Sequence, residues 1–80
     1  MKMPELEEFI RTTLGLKKID ANAALGEVRG WDSFNHVKLI ATLESEYGVD
    51  IPVDRIGELR SVKAIAEFMR GAGRLEEPSP

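Results

Sequence analysis

The 80-residue chain has no cysteine, one histidine, one tryptophan and one tyrosine, and no long apolar run. Without cysteine there is neither a disulfide framework nor a thiolate metal site, so packing alone must hold the fold, and a reducing compartment suits it. A lone histidine and the lack of any EF-hand pattern leave no useful set of metal ligands, and no metal is expected. No stretch approaches the roughly 18 apolar residues of a membrane span, and the first residues lack the basic start and apolar block of a signal peptide. The expectation is a soluble, cytoplasmic protein with no membrane contact. A basic surplus is missing too. Fourteen acidic residues against eleven basic ones give a formal charge of -3, the opposite of a nucleic-acid binder's footprint. No nucleic acid is expected as a partner.

What is present reads as one small all-α domain over residues 1–70, followed by a tail over 71–80. Leu6, Phe9, Ile10 and Leu14 recur at helical spacing, Pro4 suits a first helical turn, and Gly15 suits a stop. Glu5, Glu7 and Glu8 favour the positive end of that helix. From Leu16 to Trp31 the pattern breaks into a long loop, with Leu25 and Ile19 as expected anchors. Asp32 is placed to cap a second helix that runs to Tyr47 and ends at Gly48. Val49-Asp50-Ile51-Pro52 reads as extended, because the residue before proline avoids helical angles. Asp54 to Leu59 is at best one turn of helix, and Ser61 can cap a last helix to Arg70 with Val62, Ile65, Phe68 and Met69 on its apolar face. The Gly-Ala-Gly-Arg stretch that begins at Gly71 suggests nothing to pack, hence disorder. The architecture implied is an antiparallel bundle of three main helices and one short one.

The second helix carries more apolar surface than one core face uses. Leu39, Leu43, Tyr47 and Ile40 form one stripe and Val37, Ala41 and Phe34 another, together spanning about 220°, well beyond a surface helix's usual stripe. Glu44 lies between the two stripes, where full burial of the whole arc would strand a charge. The 39/43/47 stripe is taken as core. That leaves Phe34, Val37 and Ala41 as an apolar patch of the kind that makes contacts, unless Phe34 folds back beneath the long loop.

By residue chemistry alone, Asp32-Ser33 is a helix start, with Ser33 a polar first-turn residue. The run Gly30-Trp31-Asp32-Ser33-Phe34 also resembles the Asp-Ser-Leu signature of acyl carrier proteins. The likeness continues through Val37, Leu39-Ile40, Leu43-Glu44, Glu46-Tyr47-Gly48, Ile51-Pro52 and Ser61-Val62 without a gap. This resemblance implies a 4'-phosphopantetheine arm on Ser33, taken from coenzyme A by a phosphopantetheinyl transferase. It also implies partner enzymes that load and consume thioester-bound acyl groups, and a monomer with no catalysis of its own. Asp32 matches the acidic residue before the modified serine, read as a helix cap and as a contact for the modifying enzyme. A phosphodiester at a helix start would be favoured by free amides and the dipole. The resemblance and apolar character mark Ile40, Leu43, Leu59 and Ile65, with Ile56 beside them, as the flanks of an acyl pocket. Partner docking is expected at Phe34, Val37, Ala41, Glu44 and Ile56.

The chain departs from the family pattern in two ways. Phe34 stands for the usual leucine, and Asn35, Lys38 and Ser45 stand where carriers of fatty-acid synthesis commonly have acids. Negative charge gathers instead at Glu44, Glu46, Asp50, Asp54 and Glu58, a secondary docking edge or simply a solvated face. An aminoacyl or peptidyl carrier of nonribosomal synthesis remains open. So does an unmodified helical adaptor that binds through the Phe34 patch, whereas a DNA-binding bundle would need more than Lys38 on its recognition helix. His36, three positions beyond Ser33, invites a nucleophile-base pair, but no third orienting group or oxyanion hole accompanies it. It reads as a packing residue, and Trp31 as a lid closing the long loop or as a binding anchor.

Overall fold

The computed structural model describes residues 1–76 and consists of four helices: α1 (Met3–Leu14), α2 (Ser33–Tyr47), α3 (Val53–Ile56) and α4 (Val62–Gly71). Each boundary has a local chemical cause. Pro4 lies in the first turn of α1, and Gly15 closes that helix at φ 69° while the Leu16 amide reaches back to the Arg11 carbonyl at 3.0 Å. The left-handed turn costs a glycine little and satisfies carbonyls that the helix end would strand. Asp32 caps α2 by accepting the Asn35 amide at 2.9 Å, and Gly48 ends that helix at φ 63°. Ser61 caps α4 in the same way through the Ala64 amide at 3.0 Å.

α1 packs against both α2 and α4. Leu6 and Ile10 of α1, Leu39, Ile40 and Leu43 of α2, and Val62, Ile65, Ala66 and Met69 of α4 are buried in one core. Phe68, expected on the buried face of α4, is only partly covered, and Ala66 takes the inner position. Tyr47 is also half-buried, its ring edge-on to Phe9 with centroids 5.2 Å apart.

The long loop is tied down by its backbone more than by the expected anchors. Ile19 and Leu25 are only partly buried, whereas Ala23 and Trp31 are buried. Ala24 forms an antiparallel bridge with Ser61, flanked by Leu25 N–H donating to the Arg60 carbonyl at 2.8 Å and Val62 N–H donating to the Ala23 carbonyl at 3.0 Å. These bonds satisfy loop backbone that burial would otherwise strand, and they lash the loop to the start of α4.

The expectation of a disordered tail over 71–80 is corrected as far as Glu76. Gly73 turns the chain at φ 75°, the Arg74 amide reaches the Met69 carbonyl at 2.8 Å, and Leu75 enters the core with 4% of its surface exposed. Arg74 Nε donates to the Tyr47 carbonyl at 3.0 Å, and the Glu76 amide donates to the Met1 carbonyl at 2.8 Å. Of the two glycines that suggested disorder, Gly71 ends α4 and Gly73 makes the reversal that brings Leu75 home. Residues 77–80 of the expected tail lie outside the described residues.

Candidate functional site

Ser33 is exposed at the first position of the 15-residue α2. The preceding Asp32 supplies the cap, so the Ser33 hydroxyl is not needed to start the helix, and among the described residues it makes no hydrogen bond. A nucleophilic oxygen is thus displayed with no structural duty. Phe34 is 80% exposed and Val37 58%, and Ala41 is exposed on the same outer side. This corrects the alternative that Phe34 tucks beneath the loop. The inner stripe is core at Leu39, Ile40 and Leu43, which are buried, while Tyr47 at its end is half-buried.

Beneath Ser33 lies a pair of buried polar groups. Trp31 Nε1–H donates to His36 Nδ1 at 3.1 Å, and His36 Nε2 lies 2.9 Å from the Ile56 carbonyl. A carbonyl only accepts, so Nε2 carries the proton and the ring is the neutral tautomer. With both ring nitrogens engaged, His36 is not poised as a base for Ser33. Trp31, with 1% of its surface exposed, closes the long loop and is not a surface anchor.

A cavity of about 260 Å³ adjoins Ser33, walled by Leu25, Val37, Ile56 and Arg60, with His36 and Gly57 completing it. Of the residues expected to flank an acyl pocket, Ile56 is in this wall. Ile40, Leu43, Leu59 and Ile65 are not; each has at most 2% of its surface exposed, packed into the bundle core. Glu44, expected at a docking surface, is half-buried and uses Oε2 to accept the Ile51 amide at 3.0 Å, fixing the extended segment after α2. No group of three or more potential metal-ligating side chains converges among the described residues. No helix there is long and apolar enough to cross a membrane.

The fold and the displayed serine have a counterpart among known proteins. Residues 4–69 match the model of a family described as "Phosphopantetheine attachment site". The chain belongs to that family, whose members are carriers that hold a 4'-phosphopantetheine group and are not catalysts. Among its curated relatives is the acyl carrier protein of Bdellovibrio bacteriovorus, 27% identical over 73 residues that cover 89% of this chain and 94% of the relative. Another is the acyl carrier protein of Thermosynechococcus vestitus, 34% identical over 53 residues, or 66% of this chain and 65% of the relative. The residues present suit the group: an unengaged hydroxyl at a capped helix start, with open space alongside.

Proposed function

We propose that the protein carries acyl groups on a phosphopantetheine arm joined through the Ser33 hydroxyl, in fatty-acid, polyketide or related biosynthesis. The bound arm supplies a terminal thiol that holds cargo as a thioester. The observation that carries this reading is the division of labour at the start of α2, where Asp32 does the capping and leaves Ser33 Oγ free and exposed. A phosphopantetheinyl transferase and the acyl-loading and acyl-consuming enzymes are the partners of this reading. They would meet the outer face of α2 at Phe34, Val37 and Ala41, with Asp32 within reach of the transferase. The carrier works as a monomer in the cytoplasm.

The tight burial of Ile40, Leu43, Leu59 and Ile65 supports a second reading of the cargo, an aminoacyl group. Almost no accessible surface remains at these four side chains, which favours small or polar cargo held outside the core.

The absence of cysteine makes the test simple. The chain as translated has no thiol, so a thiol titration after incubation with coenzyme A, magnesium and a broad-specificity transferase, followed by desalting, counts arms directly. One thiol per chain, and none in Ser33→Ala, is the expected result. No thiol on the wild type, while another carrier is modified in parallel, leaves Ser33 as a helix-start residue and favours an adaptor.

A further inference from the structure

An arm on Ser33 creates a charge problem at that end of α2. A phosphodiester adds a negative charge beside Asp32, whose exposed carboxylate is already held at the cap by the Asn35 amide. Anions held side by side repel each other, and the first turn, Ser33-Phe34-Asn35-His36, offers its backbone amides but no lysine or arginine.

Three cations lie on α2, on α3 and on the segment that joins α3 to α4. Arg55 is committed elsewhere, with Nε 2.8 Å from the Glu58 carboxylate and its guanidinium 5.3 Å from the Phe68 ring centroid. Lys38 points to solvent and is not part of the cavity wall. Arg60 shares the roughly 260 Å³ cavity with Ser33, and among the described residues it pairs with no carboxylate. Its backbone is a fixed base. The Arg60 carbonyl accepts the Leu25 amide at 2.8 Å, and the next residue, Ser61, both bridges to Ala24 and caps α4.

We infer that Arg60 binds the phosphodiester on Ser33 and thereby holds the arm over the cavity walled by Val37 and Ile56. The guanidinium stays charged across the working pH range and donates to non-bridging phosphate oxygens through charge-assisted hydrogen bonds. It offsets Asp32 and gives the arm a resting place on the side of α3. This rests on the reading of Ser33 given above.

The test compares wild type, Arg60→Gln and a Lys38→Gln control, each loaded with the arm bearing a free thiol, so that the phosphodiester is the only added anion. Intact mass first establishes that each carries one arm. Loading is expected to shift the Arg60 Nε–H resonance of the wild type. The ³¹P resonance of Arg60→Gln should differ from that of wild type, and that of Lys38→Gln should not. High salt should move the wild-type ³¹P signal toward the Arg60→Gln position, since screening weakens an exposed pair. A nitroxide attached to the arm's thiol, the protein's single thiol once loaded, should broaden the Val37 and Ile56 methyl signals less in Arg60→Gln than in wild type. Loaded proteins with an unmoved Arg60 Nε–H signal, identical ³¹P positions and equal broadening would overturn the role of Arg60 while leaving the carrier reading intact. A wild type that accepts no arm would overturn both.

Discussion

The indole of Trp31 donates to His36 Nδ1 at 3.1 Å, and through the opposite ring nitrogen His36 reaches the Ile56 carbonyl at 2.9 Å. One buried imidazole therefore joins the end of the long loop, the first turn of α2 and the short α3. These are the elements that surround Ser33. The relay needs His36 neutral with the proton on Nε2, because a second ring proton would face the indole N–H.

Replacing His36 with Phe keeps a ring but strands the Trp31 N–H and leaves the Ile56 carbonyl only the Leu59 amide at 3.3 Å, an effect of about 1–3 kcal/mol for an unsatisfied buried polar group. Urea unfolding should show a loss in that range, and Trp31 fluorescence should shift as the indole loses its partner. Trp31→Phe combined with His36→Phe should cost less than the sum of the two single changes, since each removes the same bond. Additive losses would mean that the bond contributes nothing.

Glu44 holds the Ile51 amide from seven residues away, at 3.0 Å. Glu44→Ala should lower stability by about 1.5–3 kcal/mol, the scale of a hydrogen bond to a charged group, and should speed hydrogen exchange at the Ile51 amide. Glu44→Gln keeps an acceptor oxygen and should stay near wild type in both measurements. Unchanged exchange at Ile51 in the alanine variant would show that the contact is unimportant.

Leu75 sits in the core with 4% exposure although it follows three residues of Gly-Ala-Gly character and an arginine. Leu75→Ala should cost about 2 kcal/mol, the low end for a buried leucine because the irregular segment after α4 can relax around it. Deleting residues from Arg74 onward should cost at least as much. A truncated chain as stable as the full one would restore the picture of a passive tail.

Burial, and then the carboxylates of Glu5 and Glu46, push the Tyr47 phenol above its ordinary value. The folded state thus binds this proton more tightly than the unfolded chain does. The resulting stabilisation is fully present below the unfolded phenol's pKa and is lost as pH rises through the higher folded value. As the chain has one tyrosine, the phenolate absorbance of the native protein should titrate at higher pH than in urea. Coincident curves would contradict the environment described for Tyr47.

The parts of this fold that the sequence revealed are those fixed locally. Asp32 and Ser61 cap helices through amides three residues on, and Gly15 and Gly48 end them, so a short window contains both partners. The two stripes of α2 were legible for the same reason, and Glu44 between them correctly implied that the outer stripe is not buried. Contacts across the chain were not legible. Leu75 finds the core only because Gly73 reverses the chain, and Ala23 is buried beside the expected lid Trp31, in place of Leu25 and Ile19, because the bridge to Ser61 sets the loop's path. Arg60 gave no signal at all. Its nearness to Ser33 depends on the Leu25–Arg60 bond that brings the start of α4 to the loop.

The central claim is that Ser33, and no other hydroxyl, bears the arm. Intact mass of the protein after incubation with coenzyme A, magnesium and a phosphopantetheinyl transferase, followed by fragmentation of the modified species, tests it most directly. The account predicts one added phosphopantetheine located on Ser33 and an unchanged mass for a folded Ser33→Ala. An arm found on another residue, or one that persists in Ser33→Ala, would contradict it.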